Sequence, residues 1–157
     1  MSKKPLIPTP FLLVWSGGFL LDQLSKVWAQ LQLSFYEPVT VIPHALVLQL
    51  VHNYGAAYGI LQHQRWPLVL FGLAVIVGMI VYRKLLATSI WSQWGLTFLM
   101  IGTCGNVFDR LSRGYVVDFI YIYIFPVFNV ADVCIDIGIG LFLIELIWAK
   151  THANSKH

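Results

Sequence analysis

The stretch IWSQWGLTFLMIGTCGNVFDR, Ile90 to Arg110, decides how the rest of the chain is read. Nineteen residues without a charge, Ile90 to Phe108, run directly into Asp109-Arg110. An apolar run of that length predicts a helix that crosses a bilayer. Its closing residues are the unusual part. Asn106, Asp109 and Arg110 stand at i, i+3 and i+4 and share one helix face, while Gly102 and Gly105 let a neighbouring helix come close. The plain account of this ending is an Asp–Arg pair at the membrane interface. The functional account is a polar face that belongs to a site.

The remaining sequence is built the same way. Of 157 residues, 58% are hydrophobic and 11% charged, whereas soluble domains carry about 25% charged residues. Disorder is excluded by so much apolar surface. Net charge is +3 from ten Lys+Arg with no basic block, which argues against a nucleic-acid partner. Cys104 and Cys134 lie in apolar runs, read as small core residues, and suit neither a disulfide framework nor metal ligation.

Three further spans flank the first. One runs from about Phe11 to Leu33 and is expected to be a retained helix, since no small-x-small cleavage site follows it. Another, Trp66 to Tyr82, has 17 uncharged residues before Arg83-Lys84, about 26 Å of helix. The last runs from Pro126, which suits a first helical turn, to about Trp148. The predicted fold is a single mainly α membrane domain of four transmembrane helices with a small extracytoplasmic β layer. Lys3, Lys4, Arg83, Lys84, Lys150 and Lys156 all fall on one side, which places both termini in the cytoplasm. Residues 34–65 and 111–125 then lie outside. Val39 to Ile42 and Ala45 to Val51 read as two short strands split by Pro43.

Six of the seven acids, Asp22, Asp109, Asp118, Asp132, Asp136 and Glu145, lie in or beside apolar stretches, and only Glu37 sits in an ordinary polar loop. A carboxylate at bilayer depth costs about 2.5–3.5 kcal/mol and tends to mark a site. Asp22 and Lys26, four apart, either form a neutralised pair or shape a site. Asn53-Tyr54-Gly55-Ala56-Ala57-Tyr58-Gly59 reads as a turn with a capping asparagine, or as a tight loop that meets a peptide backbone. Asn129, Asp132 and Asp136 form a polar stripe on the last helix, and Glu145 faces Lys150. His44, His52 and His63 match no strong ligand spacing and read as solvated. No metal and no cofactor is expected.

Asp118 and Asp132 can meet if the segment Phe119 to Phe125 folds back. Two carboxyls in a poorly hydrated crevice share one proton. The ionised member then activates water and the protonated member polarises a carbonyl, which is amide hydrolysis without metal, serine or cysteine. Asp136, one turn further and about 6 Å deeper, is the competing partner for Asp118.

Taken in order, Asp22…Lys26, Asn53 to Gly59, Gly105-Asn106-Val107-Phe108-Asp109-Arg110, Val116-Val117-Asp118-Phe119 and Phe128-Asn129-Val130-Ala131-Asp132 resemble bacterial lipoprotein signal peptidase (signal peptidase II) across essentially the whole chain. The resemblance implies an inner-membrane aspartic endopeptidase that removes signal peptides from diacylglyceryl-modified prolipoproteins, cutting before the lipidated cysteine. By the same resemblance Asp118 and Asp132 are catalytic. Asp22, Lys26, Asn53, Gly55, Asn106, Asp109, Arg110 and Asn129 support them or the substrate. Membrane lipid and globomycin-type cyclic peptides are the other implied partners. Tyr58 stands where the family more often has phenylalanine, and Asp136 is an acid where an apolar or small residue is ordinary. A small proton- or ion-coupled carrier and a non-enzymatic scaffold are the competing functions.

Overall fold

The computed structural model describes residues 9–56 and 59–154. Ala57, Tyr58, Lys3, Lys4 and Lys156 lie outside the described residues, as does the Lys150 side chain. The order is α1 (Thr9–Gln32), β1 (Val39–Ile42), β2 (Leu46–Asn53), α2 (Arg65–Val81), α3 (Arg83–Leu86), α4 (Ile90–Ser112), β3 (Val116–Ile122) and α5 (Val130–Asn154). The chain is mainly helical, with one antiparallel sheet in the order β1-β2-β3.

Helix α4 is the centre of the bundle and packs against α1, α2 and α5. It starts at Ser89, whose hydroxyl oxygen accepts from Ser92 N–H while Ser92 Oγ accepts from Ser89 N–H, so two orphan donors are satisfied. The expected glycine contacts form. A Cβ on Gly102 would strike Ala131 O of α5, and one on Gly105 would strike the Asp22 carboxylate of α1. Glycine here permits helix axes to approach within reach of a neighbour's backbone.

The helix ends gather in two groups. Gln30 at the end of α1 bonds Tyr115 beside β3, and Arg65 at the start of α2 donates to Leu111 O at the end of α4. Those ends therefore lie with the sheet. At the other end Phe11 of α1 meets Trp94 of α4, and Thr88 donates to Glu145 of α5 at 3.2 Å.

Several boundaries differ from the sequence reading. Helix α4 continues to Ser112, so Asp109 and Arg110 lie within it. Residues 116–122 form a third strand, because a β-branched and aromatic run finds a free edge on β2. Helix α5 starts at Val130, not near Pro126. Phe128 is held to β3 before the helix begins: its N–H donates to Ile120 O at 2.9 Å, and its carbonyl accepts from Phe119 and Ile120. Asp132 accordingly sits in the first turn, and Asn129 caps the helix instead of lying on its stripe.

Among the described residues no helix is long and apolar enough to cross a membrane. Helix α2 is apolar almost throughout but has 17 residues, and α1, α4 and α5 are interrupted by the polar side chains described next.

Candidate active site

Asp118 lies in β3 opposite Val51 of β2, buried between Val117 and Phe119 and only 2% exposed. Asn53, at the end of β2, donates from Nδ2 to Asp118 Oδ2 at 2.9 Å. Its own Oδ1 accepts from Gly55 N–H at 2.9 Å. Asn53 is thus both the turn-capping residue and a donor to the acid.

Asp132 comes from the first turn of α5. The Oδ1 of Asn129 accepts from Asp132 N–H at 3.0 Å, and Asp132 Oδ2 accepts from Asn129 N–H at 3.2 Å. This is a reciprocal cap in which the acid of the first turn is the candidate catalyst. The Nδ2 of Asn129 is left to donate to Asp118 Oδ1 at 2.6 Å. One buried asparagine therefore holds both acids, each on a different edge. Asn106 completes the set by donating to Asp132 Oδ1 at 2.8 Å. Burial and the neighbouring Asp132 charge, opposed by the Asn53 and Asn129 donors, push the Asp118 carboxyl up to about 7.

A buried ionic cluster lies behind the acids. Lys26 Nζ is 2.9 Å from Asp22 Oδ2 and 3.0 Å from Asp109 Oδ2, and all three side chains are fully buried. Asp109 also pairs with Arg113. Two acids and two bases cancel, as buried charges must. Asp22 Oδ1 accepts from Ala131 N–H at the start of α5 at 2.9 Å, where the helix end favours an anion. Asp109 Oδ2 accepts from Val117 N–H at 3.1 Å, one residue before Asp118.

Arg110 does not pair with Asp109. Its Nη2 donates to Gly55 O at 2.7 Å and its Nη1 to Asn106 O at 3.4 Å, pinning the loop after Asn53 to α4. One turn along the helix, Arg113 takes the Asp109 partnership. Two cluster members escaped the sequence reading: Arg113 and Gln23, which donates to Asp22, Asp109 and Gly105 O. The i, i+4 spacing of Asp109 and Arg113 was the available signal.

The acids open onto a cavity of about 900 Å³ lined by Asn53, Asn106, Arg110, Asp118, Asp132 and Asp136, among others. Asp136 is exposed on its wall. Of the three histidines, His44 and His63 are exposed, but His52 is not solvated freely; its ring stacks on Tyr115 at 3.8 Å and meets the edge of Phe35. Cys134 is buried and Cys104 half-buried, both as free thiols.

The family model for signal peptidase (SPase) II matches residues 14–148. A lipoprotein signal peptidase of Streptococcus agalactiae serotype Ia is 37% identical over 158 aligned positions, covering 99% of each chain. One from Pseudomonas aeruginosa is 33% identical with 94% of each chain covered. A bacterial membrane enzyme solved by the in meso method at 2.3 Å resolution superposes with a TM-score of 0.87 at 30% identity, over 97% of this chain and 95% of its own. A second, solved at 1.9 Å, gives a TM-score of 0.81 at 31% identity, over 93% and 97%. Helical bundle, three-stranded sheet and family match agree: this chain belongs to the signal peptidase II family and is an aspartic-type peptidase.

Proposed function

We propose that the protein is an intramembrane endopeptidase that removes the signal peptide from diacylglyceryl-modified prolipoproteins, cutting just before the lipidated cysteine. The observation that carries this reading is the buried Asn129, which bonds Asp118 and Asp132 at once, both acids lining an open cavity. Asp132 sits at a helix N-terminus, where negative charge is stabilised, and is the general base. Asp118, buried in β3 and holding its proton to about pH 7, is the general acid. Asp118 hydrogen-bonds the scissile carbonyl while Asp132 takes a proton from water. The hydroxide adds to the carbonyl carbon, and the tetrahedral diol collapses as the C–N bond breaks and a proton passes to the leaving amine. Asn53, Asn106 and Asn129 keep the carboxyl oxygens aimed, and Arg110 with Gly55 holds the loop that lies over the site.

The same reading makes α1, α2, α4 and α5 membrane spans, with the sheet outside and both termini in the cytoplasm of a bacterial inner membrane. Leu13, Leu24, Leu31, Leu70, Phe71 and Leu146 are among many large apolar side chains on the bundle's outer surface, while Asp22, Lys26 and Asp109 are turned inward. An average over such a helix understates how apolar its lipid-facing side is. An acylated substrate enters sideways from lipid, and a globomycin-type cyclic peptide competes for the cavity. A carrier would need polar groups through the full thickness, whereas here they crowd the sheet end.

Purified protein incubated with diacylglyceryl-modified prolipoprotein is expected to release a signal peptide whose mass places the cut before the lipidated cysteine. Asp118→Asn and Asp132→Asn are each expected to abolish cleavage with an unchanged melting profile, and Asp136→Asn to act far more mildly. Turnover retained by either dyad variant removes that residue from the mechanism. Complete loss in Asp136→Asn with an active Asp132→Asn reassigns the base.

A further inference from the structure

Three carboxamides surround the two acids, and each presents a donor nitrogen and an acceptor oxygen that only a fixed partner can tell apart. Asn53 is fixed by Gly55 N–H and Asn129 by Asp132 N–H. For Asn106 no backbone N–H among the described residues serves this purpose. Its Oδ1 instead accepts from Lys26 Nζ at 3.2 Å and from Asn129 Nδ2 at 3.3 Å. An ammonium donates three bonds and accepts none. Were Asn106 to flip, its NH2 would face the Lys26 NH3+ and its oxygen would face the Asp132 carboxylate.

Lys26 is itself held firmly. Its ammonium bridges Asp22, which anchors the start of α5 at Ala131 N–H, and Asp109, which anchors the start of β3 at Val117 N–H. The elements bearing Asp132 and Asp118 are thereby referred to one point on α1. Lys26 does not line the cavity, whereas Asn106 does. We propose that Lys26 is a positioning residue for the reaction, acting through Asn106: its ammonium locks that carboxamide with the NH2 toward Asp132, so the base meets its water in a single orientation.

This inference rests on the peptidase reading above, and a double-mutant cycle tests it. Steady-state cleavage of diacylglyceryl-modified prolipoprotein is measured with full-length wild type, Lys26→Met, Asn106→Leu and the double variant, each checked for a cooperative melt. Misplacing a group at the chemistry costs about 100-fold. Lys26→Met is therefore expected to lower kcat by about that factor while KM holds within about threefold. The double variant is expected to match Asn106→Leu within about twofold, because the proposed route from the lysine to kcat runs through Asn106, while loss of its bonds to Asp22 and Asp109 is read in the melt. A double variant slower by the product of the two single factors overturns the proposal, as does a Lys26→Met loss that lies in KM alone. If the uncompensated acids prevent Lys26→Met from folding, Asp109→Asn is carried through all four corners, which balances charge in the two Lys26→Met corners; each corner is again checked for a cooperative melt, and the same comparison decides. Wild type that leaves the prolipoprotein intact overturns both readings; wild type that cleaves, with a multiplicative cycle, overturns this one alone.

Discussion

Asp118 is the residue where burial is converted most directly into chemistry. It is embedded in a strand among Val116, Val117 and Phe119, all buried, and it faces a second acid through a shared asparagine. Its carboxyl is pushed from 3.8 up to about 7, by burial first and Asp132 second. The folded protein therefore binds a proton at Asp118 between about pH 4 and 7 that the unfolded chain releases. Stability from this group is fully present below about pH 4 and falls as pH rises through about 7. Melting temperatures of Asp118→Asn are expected to fall less than those of wild type across that window, the difference corresponding to a few kcal/mol at most. Parallel curves for the two proteins, followed by thermal unfolding in detergent at fixed ionic strength, would place the titration elsewhere. Cleavage is expected to decline over the upper part of the same window, since the proposed acid loses its proton there.

At the level of helices and strands, the glycines of α4 set how closely α5 can lie. A methyl group on Gly102 runs into the backbone carbonyl of Ala131, and backbone cannot rotate aside. Gly102→Ala is expected to cost about 1–3 kcal/mol and to shift the first turn of α5, so activity falls with stability. A methyl group on Gly140 of α5 would meet nothing within 4 Å, and Gly140→Ala is expected to be neutral or to stabilise by about 0.5–1 kcal/mol. Melts of both variants settle the contrast; equal effects would mean the interface gives way. The sequence was legible where periodicity and composition act locally. The apolar runs located four long helices, and the β-branched pairs around Pro43 located β1 and β2. Boundaries set by partners distant in the chain were not legible. Nothing near Pro126 indicates that Phe128 spends its N–H and carbonyl on β3, which delays α5 until Val130. Nor does the run Val116 to Ile122 reveal that the edge of β2 is free to receive it. The site followed the same rule: the acids stood out because charge is rare here, whereas Gln23 carries no such signal.

The whole molecule has two unlike ends. One carries the sheet, both proposed catalytic acids and the ionic cluster behind them. The other carries Phe11 against Trp94, Thr88 against Glu145, and the basic turn Arg83-Lys84. With large apolar side chains covering the outer surface between these ends, a bilayer is the solvent that such a surface fits, and the proposed orientation keeps the Arg83-Lys84 end in the cytoplasm. The proposed reaction calls for the same orientation, because its cut falls where the signal peptide meets the outer leaflet. His44 in the β1–β2 turn and Lys84 on α3 are both exposed and report the two ends. In a background with Cys104→Ala and Cys134→Ala, His44→Cys is expected to react with a membrane-impermeant maleimide in intact spheroplasts. Lys84→Cys is expected to react only after the membrane is opened. Labelling of Lys84→Cys from outside, with His44→Cys protected, would invert the proposed orientation. Labelling of both from outside would mean that α2 does not cross, leaving its 17 residues short of the opposite face.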